Sequence, residues 1–199
     1  MKPAQCASCF QQKCVGNSKQ ETDYCPINTR PDIYEQAEEV YRQDAETRRM
    51  SRESGIVESK GYMVFPRLKD IIEYARGMEF KSLTLLFCPD LQREAKKAAT
   101  ILAEQGFDVH TRVCGVGKST PQSAVEFAAE LDASNPELVV NAGLCIPFEA
   151  EVSRASRSPL TGFIARDKPL KNYPALAVYT SKKWKDFAKE VYRDTLGLK

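Results

Sequence analysis

Apolar and polar positions change period once along the chain, near residue 80. Before that point the apolar residues recur at helical spacing. Tyr34, Ala37, Tyr41 and Ala45 repeat through a segment opened by Pro31, and the strongly polar stretch from Arg48 to Ser59 continues it, which predicts one long, half-exposed helix. Leu68, Ile71, Ile72 and Ala75 line one face of a second helix, begun near Pro66 and ended around Gly77. After residue 80, apolar runs of strand length alternate with helical patterns. Ser82 to Phe87 (SLTLLF), Phe107 to Val113, Glu137 to Ala142 and Leu160 to Ala165 read as strands. Leu91, Ala95, Ala98, Ala99 and Leu102 mark a helix with Asp90 as its expected N-cap and Gly106 as its stop. Val125, Ala128, Ala129 and Leu131 mark another, opened by Thr120-Pro121, and Trp184, Phe187, Ala188, Val191 and Tyr192 share a face near the end of the chain.

Strands that alternate with helices require crossover connections, so the sheet should be parallel and covered on both faces. The expected fold is α/β: a Rossmann-like three-layer parallel sheet, preceded by an N-terminal four-cysteine metal-binding segment and a helical connector. The common doubly wound order places the first strand between the second and the third. The organisation is a cysteine-rich head over residues 1–31, then connector and α/β domain over 32–199. A chain of 199 residues can bury roughly 70% of its unfolded surface and needs no staples to fold.

A net charge of +2 supplies no basic excess, which argues against nucleic acid as a partner. No apolar run reaches the ~18 residues of a membrane helix, and MKPAQCASC lacks the apolar core of a signal peptide, so the expected setting is cytoplasmic. Seven cysteines in a reducing compartment point to metal or redox chemistry rather than disulfides. With His110 the only histidine, schemes needing two imidazoles are excluded.

Cys6, Cys9, Cys14 and Cys25 form C-x2-C-x4-C-x10-C, the last followed by proline. Four soft thiolates at this spacing suit a tetrahedral zinc ion or an iron–sulfur cluster. There is one C-x2-C knuckle where zinc ribbons use two, and a Cys-Pro closes the run as in ferredoxin-type segments. The remaining three cysteines each follow a predicted strand: Cys88 after the first, Cys114 after the second, Cys145 two residues beyond Gly143 at the end of the third. Ligands of open parallel sheets bind beyond the carboxyl ends of the strands, so thiols there can converge on one iron–sulfur cluster or metal ion. The plainer alternative is that each is a small buried apolar residue.

The stretch VCGVGKST ends like a Walker A loop, but the position that needs its first glycine is Arg112. It therefore reads as a strand end carrying Cys114, with Lys118 in the following turn. Arg112, Lys118, Arg166 and Asp167 are the candidate contacts for a small-molecule substrate, ordinary surface charge being the alternative. His110 reads as a packed or surface residue, and Tyr173 and Tyr179 as core or cover.

The cysteine head, the LFC, RVC and AGLC strand ends, and the late segment ARDKPL leading to PALAVYTS together resemble an uncharacterised family of presumed metal-binding proteins, domain of unknown function 1847, found mainly in anaerobic bacteria and archaea. The resemblance runs over nearly the whole chain and implies cysteine-bound metal, with no established reaction to carry over. The chain departs from the family pattern in lacking a further Cys-Asn-Pro between the second and third strand cysteines, a His-Asp soon after Gly-Leu-Cys, and a late Gly-His-Asn-Pro. All-thiolate donors and an anaerobic setting favour iron–sulfur, [4Fe-4S], over zinc. The expected function is an iron–sulfur protein whose second site binds or transforms a small molecule, with a small-molecule ligand or redox partner; the alternative is a zinc-stabilised, non-enzymatic binding, sensing or regulatory module.

Overall fold

In a computed structural model, which describes residues 4–9, 23–114 and 121–180, the four apolar runs become four strands of one sheet. These are β1 (Ser82–Phe87), β2 (Asp108–Val113), β3 (Leu138–Ala142) and β4 (Leu160–Ile164). All pairings are parallel and the order is β2-β1-β3-β4, so β1 lies between β2 and β3 as the doubly wound arrangement predicts. The fold is Rossmann-like α/β.

Alternation along the central strands decides which helices cover each face. Leu83 and Leu85 of β1 and Leu138, Val140 and Ala142 of β3 pack against Ile71, Ile72 and Ala75 of α4 (Arg67–Gly77) and Ala95, Ala98 and Leu102 of α5 (Gln92–Glu104). Leu86 and Val139 face the other way. They meet Phe127 and Leu131 of α6 (Pro121–Ser134) and Phe148 and Val152 of α7 (Ile146–Ala155), with Phe127 and Phe148 in edge-to-face contact at 5.5 Å between centroids. Every residue of β3 is buried, as expected of an inner parallel strand, while β2 and β4 form the outer strands. At β4, Arg67 covers part of the open edge by donating to the Gly162 carbonyl at 2.9 Å and to Thr161 Oγ1 at 2.7 Å.

Backbone contacts divide the chain into two compact units, Met1–Ile56 and Val57–Lys199, with the boundary inside α3 (Ala45–Gly61). In the first, Cys6–Ser8 make a single 3-10 turn, α1 spans Pro26–Thr29 and α2 spans Pro31–Gln43. The long helix expected from Pro31 onward is two helices, broken at Asp44. Asp44 is extended (φ −91°, ψ 113°), and its carboxylate accepts the Glu46 N–H at 3.0 Å and the Thr47 hydroxyl at 2.6 Å, an N-cap for α3. Arg48 closes the other side of the break by donating to the Tyr41 and Arg42 carbonyls at the end of α2. No residue of α2 is buried, where half-burial was expected.

Three helices went unread in the sequence: α1, α7 and α8 (Ala175–Thr180). Asp90 is not a helix cap either. Pro89–Leu91 form one 3-10 turn, Leu91 occupies the N-cap position of α5, and the Asp90 carboxylate is used elsewhere. Tyr173, expected as core or cover, is 55% exposed. The helical face around Trp184 and the side chain of Tyr179 lie outside the described residues.

Candidate functional site

Phe87 of β1 is in register with Val113 of β2, and the next residue on each strand is a cysteine. Cys88 and Cys114 therefore stand side by side at adjacent strand ends, with backbones ~4.8 Å apart. The ladder continues just far enough to hold them: the Cys88 N–H donates to the Ala142 carbonyl at 3.1 Å, and the Cys114 N–H to the Phe87 carbonyl at 2.9 Å. Cys88 then starts the 3-10 turn, its carbonyl accepting the Leu91 N–H at 2.8 Å.

The third cysteine is placed by the loop after β3. Asn141, 2% exposed, accepts the Leu144 N–H through Oδ1 at 3.0 Å, which folds the chain back sharply. Gly143 sits in that turn at φ +73°, where a Cβ would come within 2.3 Å of Leu91 Cδ1. The Gly143 N–H donates to the Ile164 carbonyl at 2.7 Å beside a register shift between β3 and β4. Cys145 emerges as the N-cap residue of α7, its carbonyl accepting the Glu149 N–H at 2.9 Å. Cys114 and Cys145 both pack on the α6/α7 side of the sheet, and Cys88 follows Leu86 on that face.

Cys114 feels both of the other thiols. Burial, then the fields of Cys88 and Cys145, push the Cys114 thiol up to about 11, against an opposing pull from Arg166. Beside Cys88 opens a cleft of about 370 Å³ lined by Cys88, Asp90, Leu91, Arg166, Lys168 and Asn172. Asp90 accepts from the Cys88 thiol at 3.8 Å and is ion-paired to Lys168. The Lys168 hydrogen bond, joined by the charges of Lys168 and Arg166, holds the Asp90 carboxyl below its usual range.

Of the candidate substrate contacts among the described residues, Arg166 alone lines this cleft together with a cysteine. Asp167 spends an oxygen on the Leu170 N–H at 3.2 Å, and its own N–H donates to Asn172 Oδ1 at 3.0 Å, so it shapes the turn that presents its neighbours. Arg112 points elsewhere: it pairs with Glu130 of α6, lies over the Phe127 ring at 5.7 Å, and lines a separate 230 Å³ cavity with Thr84 and His110. His110 is exposed, 3.4 Å from Asp108. Lys118 lies outside the described residues. Lys168 and Asn172 were missed; the same ARDKPLKN run that supplied Arg166 contains both, but only the turn brings them to the cleft.

In the head, Cys6 is exposed, Cys9 partly covered and Cys25 buried, with Cys25 opening α1 and accepting the Asn28 and Thr29 N–H groups at 3.0 Å. Cys14 lies outside the described residues. Among the described residues no group of three or more His, Cys, Asp or Glu side chains is drawn together tightly enough to hold a metal ion. A lone zinc ion needs its sulfurs about 2.3 Å from one point, so it does not fit the crevice trio as placed. No helix among the described residues is long and apolar enough to cross a membrane.

Fold and site together define a class: parallel α/β proteins with thiols on the carboxyl rim of the sheet. The chain belongs to the family described as "Protein of unknown function (DUF1847)", which matches residues 25–130, a little over half of its length. That match takes in Cys25, Cys88 and Cys114 and stops short of Cys145. It is similar to the uncharacterized protein MJ0455 of Methanocaldococcus jannaschii, 28% identical over 191 residues that cover 88% of this chain and 93% of the relative. No solved structure matches it.

Proposed function

We propose that the protein is a cysteine-ligated metal protein of iron–sulfur type, in which Cys88, Cys114 and Cys145 form a rim site that binds or transforms a small molecule. The observation that carries this reading is the placement of three cysteines, far apart in sequence, at three neighbouring strand ends, with the fields of Cys88 and Cys145 both reaching Cys114. Burial, then the fields of Cys88 and Cys145, hold the proton on Cys114; a cationic centre bound at the rim is what would let all three deprotonate together. The donor set suits a cluster better than a single ion, because a [4Fe-4S] centre spreads its thiolates over several irons. When bound, such a group supplies electron transfer or, with three protein ligands, an open coordination position. The chain's own residues hold the thiols at fixed strand ends, while Asp90 takes a hydrogen bond from Cys88 and the cleft admits a ligand from the Arg166 side. Cys6, Cys9, Cys14 and Cys25 are proposed as a second, four-thiolate set.

Anaerobic purification followed by iron, sulfide and zinc analysis tests this. About four or eight irons per chain with matching sulfide are expected, and replacing Cys88, Cys114 and Cys145 together by serine should remove about four of eight. Zinc without iron would sink it. A second reading draws on the packing of Cys114 and Cys145 against the α6/α7 apolar cluster: the rim cysteines are core residues, and zinc at the head stabilises a non-enzymatic module. An unchanged metal content in the triple variant is the outcome that reading expects.

A further inference from the structure

The 370 Å³ cleft beside Cys88 holds two cations and one carboxylate, and their pairing is uneven. Lys168 is neutralised by Asp90. Arg166 lines the cleft with no hydrogen bond or ion pair among the described residues, although its charge reaches both the Cys114 thiol and the Asp90 carboxylate. Asn172 spends its amide oxygen on the Asp167 N–H, leaving its NH2 as a further donor on the cleft wall. The two are brought together by the Asp167–Asn172 turn, which is locked by the Asn172 N–H on the Asp167 carbonyl at 2.6 Å and by left-handed backbone at Lys171 and Asn172. The net charge left unspent in the cleft is thus positive and planar.

We infer that this cleft binds a small molecule through an oxyanion group, a carboxylate or a phosphate, gripped by Arg166 with Asn172 as a second donor and with the rest of the ligand lying toward Cys88. The inference rests on the cleft being the substrate side of the rim site, and it deepens that reading by giving the ligand a charge and a size. A guanidinium presents its donors as a fork that matches two oxygens at once, which a lysine does not. A cationic ligand finds no free carboxylate, since Asp90 is taken. The volume lies near the lower end of the roughly 300–1,000 Å³ usual for ligand pockets, so it suits a small acid or phosphate ester rather than a dinucleotide.

The test is isothermal titration of the full chain, as purified without oxygen, with inorganic phosphate and separately with succinate, at constant ionic strength. Saturable binding of at least one probe is expected; which one binds decides between phosphate and carboxylate. Arg166→Gln should weaken it about tenfold or more, the usual loss for a charge-assisted pair of hydrogen bonds. Arg166→Lys, which keeps the charge and loses the fork, should fall between. Lys97→Gln, an equal charge change on the exposed side of α5, should leave binding unaltered. Failure of both probes to bind, or equal weakening by Arg166→Gln and Lys97→Gln, overturns the proposal. Iron and sulfide are measured on the same samples: anion binding without iron leaves this inference standing and removes the cluster, whereas iron without anion binding does the reverse.

Discussion

Gly143 shows how much one residue carries. Its φ of +73° and the Leu91 methyl 2.3 Å from any added Cβ leave no room for a side chain, and the turn it allows sets both Cys145 and the contact between the loop and the Pro89–Leu91 turn. Gly143→Ala should therefore destabilise the protein by about 2–4 kcal/mol, the sum of left-handed strain and overpacking, as read by urea denaturation. Stability equal to the parent would mean the AGLC turn is built differently. The sequence shows the glycine and the cysteine but not their relation, because a glycine's φ is fixed by what surrounds it. Asp90 makes the same point: it has the right residue type and position for a helix cap, and a lysine 78 residues later holds its carboxylate instead.

At the scale of elements, local signals served well where one was strong. The strand β1 begins and ends as the apolar run does, α4 runs from Arg67, capped by Pro66, to Gly77, close to the expected bounds, and the sheet order follows the doubly wound rule. The break at Asp44 was available from the Asp-x-Glu-Thr sequence that caps α3, but the continuous helical period around it concealed the stop. Helix α4 carries a surface triad in which Glu73 accepts from Lys69 and Arg76, and the Lys69 hydrogen bond is the main reason its carboxyl lies below the ordinary value. A lowered carboxylate contributes stability that is present above the unfolded value, near 4.3, and is lost as pH falls through the folded one. Glu73→Gln should accordingly cost about 0.2–1 kcal/mol at pH 7, the range for solvent-screened pairs, and the difference from the parent should close on acidification below the folded value. Denaturation curves at neutral and acid pH check it; a cost that persists in acid would point to packing instead of charge.

For the whole molecule, two units with different kinds of support should respond differently to a chelator. The sheet unit has β1 and β3 enclosed by two apolar clusters, whereas no residue of α2 in the first unit is buried. Hydrogen exchange should be slowest in β1 and β3 and faster in the outer strand β2. Where the head carries metal, chelation should speed exchange over residues 23–43 and leave β1 and β3 unchanged; uniform behaviour across both regions would contradict a metal-held head. The sequence by itself determined the alternation of strands and helices, the parallel sheet, and the presence of a cysteine after each of three strands, because those depend on period and on neighbours in the chain. Only the tertiary structure decided that Cys88 and Cys114 stand in register, that Arg166 shares a cleft with Cys88 while Arg112 turns to Glu130, and that Lys168 and Asn172 complete it. The reason is that strand register and crossover geometry are set by contacts between residues tens of positions apart, and no window along the chain contains both partners.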